Sequence, residues 1–217
     1  MQQLKKIIYK LPKLYFGFIL ASLGLAFMIE AGVGMSPWGT LQVGLEGVSG
    51  ISYGRITQLV GLTIIVSTMF MKVYPGVGTV LNIAFIGYFI DLIRSIGIIP
   101  NVSGVLAQLT LCISGLIVFS FGIYFYLSCG LGAGPRDGLM LALIKITGKP
   151  PTVIKPAIEL TVLGIGILIG GPVGIGTIIV ALLGGRMLDM VFTMFKFDPK
   201  AQKQQNLAEF VLSFRSN

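Results

Sequence analysis

The chain has 217 residues, 54% of them hydrophobic and only 11% charged, against roughly 45–50% and about 25% in soluble domains, so a soluble fold of this size would lack the polar surface to cover itself. Its net charge of +8 is not gathered on one amphipathic stripe but falls mostly between hydrophobic segments, which excludes nucleic acid as the partner and leaves membrane topology to account for the charge. No histidine is present, which removes the commonest metal ligand and the usual general base, so neither an enzyme nor a metal or other cofactor is expected.

The apolar residues come in runs of about 18 or more, the length a helix needs to cross roughly 30 Å of hydrocarbon at about 1.5 Å per residue. Residues 1–13 form a basic N-terminus with Lys5, Lys6, Lys10 and Lys13. The apolar stretch behind it begins as a signal peptide does, but it runs into Glu30 and a glycine loop with no small-residue cleavage site, so it reads as the first span, at about 14–31. Gly32 and Gly34 then break the chain, and Pro37 opens a short helix over 37–48 with Ser36 as its N-cap. Helices at about 55–72 and 76–96 complete a first membrane unit, 14–96. After an extracytoplasmic linker, 97–105, the order recurs in a second unit, 106–195. A long helix at 106–129 is broken at Gly130, Gly132 and Gly134, Pro135 opens a short helix over 135–147, and two apolar helices follow at 154–170 and 174–195. Cys112 and Cys129 lie within and at the end of one apolar run and read as buried thiols. The tail, 196–217, suggests a short amphipathic helix at the membrane surface.

Sliding the chain on itself by 98 residues brings the two units into gapless register. Gly17 and Gly24 fall on Gly115 and Gly122, Gly32 and Gly34 on Gly130 and Gly132, Pro37 on Pro135, Thr79 on Thr177, Gly87 on Gly185 and Asp91 on Asp189. From residue 17 to 94, 19 of 78 positions are identical. Each unit has three spans, an odd number, so joining two in series inverts the second. The predicted fold is an all-α polytopic membrane protein of about six transmembrane helices in two inverted-topology repeats of three. Each repeat adds a short re-entrant or interfacial helix, too brief to cross.

Lys and Arg near helix ends favour the cytoplasm. With the N-terminus inside, thirteen basic residues from Lys5 to Arg215 lie inside, and only Arg55 and Arg94 remain outside. Both termini are therefore expected in the cytoplasm. If the short helices spanned, the count would become eight and Arg136, Lys145 and Lys149 would no longer share one side.

The segments GVGMSPWGTL at 32–41, PGVGTVLN at 75–82, GLGAGPRDGL at 130–139 and GIGT at 174–177 resemble the YczE/YyaS/YitT group of bacterial integral membrane proteins, most closely its YczE-like branch, over roughly residues 12–195. The resemblance implies a multi-pass protein of the bacterial cytoplasmic membrane. It brings no settled substrate or activity.

Ionisable groups inside a bilayer cost about 2.5–3.5 kcal/mol at a helix centre, so each is a candidate for function. Asp91 and Asp189 hold equivalent places, and each has an arginine three residues away, Arg94 or Arg186, with which it could pair locally. Gly87 and Gly185, one turn earlier, leave room for a neighbouring helix. Glu159 stands where the first unit has Gly61 and could pair with Arg186 or snorkel toward Lys155, whereas Glu30 is expected at the interface. In GAGPRDG, Gly134 serves as N-cap and Pro135 as the first helical residue, with Arg136 and Asp137 in the first turn. Free backbone N–H groups, the positive helix end and Arg136 would together favour an anion. Alternatively, Asp137 complements the helix dipole and Arg136 anchors the topology. Thr79 and Thr177 read as caps, and Asn82 is a polar candidate whose counterpart is Val180. The Gly-x-Gly pattern follows no strand and carries no nucleotide fold.

Two functions fit. Inverted repeats with interrupted helices are the architecture in which secondary transporters hold a substrate between halves, which points to a transporter or exporter of a small polar or anionic solute driven by an ion gradient. The alternative is a non-transporting accessory or scaffold for another membrane-associated protein, its glycine faces serving contacts in a homo-oligomer or with a protein partner.

Overall fold

The computed structural model describes residues 2–199, 201, 202 and 204, with side chains from Ile7 onward. The described residues form eight α-helices and no strand: α1 (Gln2–Ala31), α2 (Pro37–Ser49), α3 (Tyr53–Phe70), α4 (Val77–Ile96), α5 (Val105–Leu127), α6 (Pro135–Thr147), α7 (Pro151–Leu168) and α8 (Ile175–Met194). The bounds of α6, α7 and α8 are those of α2, α3 and α4 displaced by 98 residues. Helix α1 starts well before the expected residue 14 and carries Pro12 in its interior, as α7 carries Pro156. Most of the C-terminal tail, with its expected amphipathic helix, lies outside the described residues.

Among the described residues, five helices are long and apolar enough to cross a bilayer: α1 from Ile7, α4, α5, α7 and α8. The sixth expected span, α3, matches α7 in length, but Arg55, Thr57, Gln58, Thr63, Ser67 and Thr68 dilute its apolar character, and it is not among the five. Helices α2 and α6 have 13 residues each, about 20 Å of rise, too little to cross.

The centre of the fold is the seam between α1 and α5, which run antiparallel. Gly17 lies against Gly122 and Tyr126, and Gly24 against Gly115 and Phe119. The backbones meet so closely that a Cβ on Gly24 would lie 2.5 Å from the Gly115 carbonyl oxygen, and one on Gly115 would lie 2.7 Å from that of Gly24. Without a hydrophobic drive between helices in lipid, such close packing is what holds them together. Leu14, Phe18, Ala21, Met28, Cys112 and Leu116 fill the seam.

Each glycine-rich break docks on the other half. The Gly78 N–H at the start of α4 donates to the Leu131 carbonyl at 2.7 Å, and the Gly176 N–H at the start of α8 donates to the Val33 carbonyl at 2.8 Å. Each such junction satisfies one of the four otherwise orphaned amides at a helix start. Gly34 and Gly132 hold φ of +99° and +126°, values suited to glycine. A Cβ on either would lie 2.5 or 2.6 Å from the hydroxyl of Thr177 or Thr79. Those threonines cap their own helices, accepting from Gly174 N–H at 3.3 Å and Gly76 N–H at 3.2 Å.

The halves then diverge. Helix α3 packs along α4, with Gly54 against Gly87 and Ile83 against Gly61, whereas α7 and α8 barely touch. Gly185, the counterpart of Gly87, has no neighbour within 4 Å of where a Cβ would be.

Candidate functional site

The first turns of α2 and α6 face one another across a cavity of about 530 Å³ that reaches between α7 and α8. Local sequence sets both turns. Gly134 and Ser36 are extended N-caps, each followed by proline, and the Ser36 hydroxyl accepts from the Gly39 N–H at 3.3 Å. Trp38 and Arg136, in register positions of the two helices, meet in the middle: the guanidinium lies 4.9 Å from the indole centroid, a cation–π contact. Arg136 Nη2 also donates to Gln42 Oε1 at 3.4 Å, and that oxygen accepts from the Tyr53 hydroxyl at 2.8 Å. Asp137 and, from α7, Lys155 and Glu159 line the same end of the cavity. Asp137 leans back on the backbone of Gly134, so it also complements the start of its own helix. The far wall is apolar, with Leu25, Met28, Ile64, Ile86, Leu116 and Phe119. Asn82 lines the cavity from α4.

One side of this cavity is held shut by a polar network of the first half. The Asp91 carboxylate accepts from the Ser52 hydroxyl at 2.5 Å and from the Gly54 N–H at 2.8 Å, at the N-terminus of α3. Glu46 accepts from the Tyr53 N–H at 3.0 Å. Two carboxylates thus face the positive end of α3, where anions are stabilised. Arg94 ties this to two further helices, reaching Glu46 at 2.9 Å and Glu30 at 3.0 Å. Ser22 adds a bond from α1 to α4, donating to the Ile86 carbonyl at 3.1 Å. Its counterpart Ser120 bonds only within its own helix, to Leu116, and lines the cavity.

Several expected pairings are corrected. Asp91 does not pair with Arg94, because it accepts from the Ser52 hydroxyl and the Gly54 N–H while Arg94 binds Glu30 and Glu46. Glu30, part exposed near the end of α1, binds Arg94. The described residues contain no ion pair of Asp189 or Glu159 with Arg186. Arg186 and Asp189 lie on an exposed face of α8, and Glu159 turns into the cavity. Gly87 admits a close helix as expected, and Gly185 does not. Gly32, Gly34, Gly130 and Gly132 form the breaks, all with positive φ, and Gly134, Pro135, Ser36 and Pro37 border the cavity. Cys112 and Cys129 are buried and unpaired with each other. The described residues hold no cluster of metal-ligand type. Sequence reasoning passed over Trp38, Gln42 and Glu46, although their spacing of four residues places them on one face of α2.

A family model described as a family of unknown function, DUF6198, matches residues 8–193. The uncharacterized membrane protein YczE of Bacillus subtilis is 33% identical over 174 residues, which is 79% of this chain and 80% of that protein. An uncharacterized protein of Haemophilus influenzae is 30% identical over 168 residues, 77% and 76% of the two chains. The uncharacterized protein YyaS of Bacillus subtilis is 27% identical over 176 residues, 79% and 87% of the two. No solved structure matches.

Proposed function

We propose that this chain, which belongs to the family of unknown function DUF6198, is a small membrane transporter whose two halves lie inverted in the bilayer and bind a polar or anionic solute between them. The observation that carries this is the cavity, bordered by the starts of both short helices, shut along α3 and α4 and open between α7 and α8. Half-helix N-termini converging on a cavity are how transporters of inverted architecture hold charged solutes.

Three features support the inversion. Helices α1 and α5 run antiparallel, the bounds of the later helices recur at a spacing of 98 residues, and the reciprocal bonds Gly78 to Leu131 and Gly176 to Val33 exchange under that same shift. Lys10, Lys13, Lys149, Lys155 and Lys196 then gather on one side, so the gap between α7 and α8 faces the cytoplasm. The clasp of Asp91 on the start of α3 seals the outer side.

Alternating access follows from equivalence. Asp189 stands to Thr152 as Asp91 stands to Gly54, so in the opposite state the start of α7 closes on Asp189 while α3 leaves Asp91. Pro150, in the place of Ser52, offers no hydroxyl, which makes the inner clasp the weaker and leaves the inward-open state favoured without solute. The coupling ion gradient acts through these carboxylates.

The test is a screen of small polar and anionic metabolites for thermal stabilisation of the purified protein, since a solute bound only to the folded state must raise apparent stability, followed by flux measurements in reconstituted vesicles. At least one solute is expected to stabilise the protein and to cross faster than in empty vesicles, with Arg136→Gln abolishing both effects. Stabilisation by none, together with wild-type flux equal to that of empty vesicles, would sink the proposal and favour the accessory role.

A further inference from the structure

We infer that the cavity selects a small zwitterion with an apolar body, of the kind an apolar amino acid represents, rather than a simple anion. The inference rests on the cavity being the solute site proposed above. Four ionisable side chains line one end, Arg136, Asp137, Lys155 and Glu159, two cations and two anions. None of them joins an ion pair among the described residues, where the pairs within 4.0 Å belong to Arg94. Arg136 carries five N–H donors, and its one hydrogen bond among the described residues, to Gln42, is long at 3.4 Å. Trp38 covers one face of the guanidinium and leaves its edge to the cavity. Glu159 has no hydrogen-bond partner among the described residues, and it stands where the first half has Gly61, a position filled there by Ile83.

Electrostatics set the ligand class. A carboxylate alone, drawn to Arg136, would also meet the like charges of Asp137 and Glu159 on the same cavity wall. An ammonium alone would meet Arg136 and Lys155. A ligand with both groups sets its carboxylate on Arg136 and its ammonium on Glu159, the two less exposed of the four, and leaves Asp137 and Lys155, both exposed, to water. The apolar wall formed by Met28, Ile86 and Leu116 receives the remainder of the molecule. The volume, about 530 Å³, lies within the roughly 300–1,000 Å³ usual for small-molecule sites.

Trp38 is the single tryptophan of the chain and touches Arg136, so its fluorescence reports occupancy directly. The purified protein in detergent is titrated with L-leucine, L-methionine and L-phenylalanine, and with 4-methylpentanoate and 3-methylbutylamine, the leucine analogues lacking the amine and the carboxylate. Phenylalanine does not absorb where tryptophan is excited selectively. At least one amino acid is expected to change the fluorescence saturably, and each leucine analogue to bind at least about tenfold more weakly than leucine. Glu159→Gln is expected to weaken the amino acid and strengthen 4-methylpentanoate, a reversal that loss of folding cannot produce, and Arg136→Gln to weaken both. No saturable change at about 10 mM, which would fill nine-tenths of a site with a Kd of about 1 mM, overturns the inference, as does 4-methylpentanoate binding as tightly as leucine. Vesicle flux separates the two proposals. Leucine binding without flux refutes transport and leaves the zwitterion site standing, while flux of anions alone refutes the zwitterion and leaves transport standing.

Discussion

Replacing Asp91 by alanine strips the clasp at the start of α3 of its acceptor. Two hydrogen bonds vanish, from the Ser52 hydroxyl at 2.5 Å and the Gly54 N–H at 2.8 Å, and α3 loses a negative charge at its positive end. Hydrogen bonds to charged groups contribute about 1.5–3 kcal/mol each, and the dipole term about 0.3–1 kcal/mol. Asp91 is half-buried, so solvent screening selects the low end of both ranges, about 3 kcal/mol in all. In a chain of this size each kcal/mol moves the melting temperature by roughly 2–4 °C, which predicts a fall of about 6–12 °C for Asp91→Ala. Asp189→Ala alters the equivalent residue, but the Asp189 side chain is exposed and makes no hydrogen bond among the described residues, so its effect stays within about 0.5 kcal/mol, or roughly 2 °C. Both are read as apparent melting temperatures in the same detergent at one scan rate, because irreversible unfolding makes the value depend on the rate. Equal losses for the two substitutions, or a larger one for Asp189→Ala, would show that the clasp at α3 is not what distinguishes the halves. Ser52→Ala combined with Asp91→Ala should cost less than the sum of the two alone, since they share one bond.

Arg94→Met removes both ion pairs, to Glu30 and Glu46, and leaves two carboxylates facing each other; about 1–2 kcal/mol of stability should go. The difference from wild type should shrink between about 0.1 and 1 M salt, as the screening length falls from about 10 to 3 Å, and an unchanged difference would count against a solvent-accessible network. Gly24→Leu should prevent a monodisperse folded protein in size-exclusion chromatography, because the side chain would enter the Gly115 and Phe119 backbone, while Gly47→Ala, with nothing within 4 Å, should be neutral or gain about 0.5–1 kcal/mol. Neither Cys112 nor Cys129, 0% and 1% exposed, should react with a maleimide until the protein unfolds. Burial pushes the Cys129 thiol above its usual value, outweighing the opposite pull of Lys13 and Lys10, so even its loop position should not activate it.

Much of the architecture was legible in the residues because its causes are local. Pro37, Pro135 and the glycines before them mark the two short helices, and an apolar run of sufficient length marks a span whatever lies beside it. The repeat was legible for the same reason, since glycines that must meet another backbone recur at Gly17, Gly24, Gly115 and Gly122. Helix α3 shows where such signals thin: its first turn is bound by Asp91 and Glu46 through the backbone N–H groups of Gly54 and Tyr53, a matter of contacts from distant residues. The candidate site was half legible. Arg136, Asp137 and Glu159 announced themselves as charges in apolar surroundings. Trp38, Gln42 and Tyr53, which position Arg136, are ordinary residues until another helix is brought against them.

Sequence alone determined a bilayer-embedded helical protein with two related halves, because hydropathy, helix breaking and backbone approach are properties of each segment. Only the tertiary structure decided that the halves differ in packing. Gly87 and Gly185, Asp91 and Asp189, are identical residues at equivalent positions, yet one pair is packed and bonded and the other is not. The difference lies in what reaches them: Ser52, Gly54 and Gly61 permit α3 to close on α4, whereas α7, with Pro150, Thr152 and Glu159 in their places, stands apart from α8. Packing between helices is a property of two surfaces at once, and no single stretch of chain carries it.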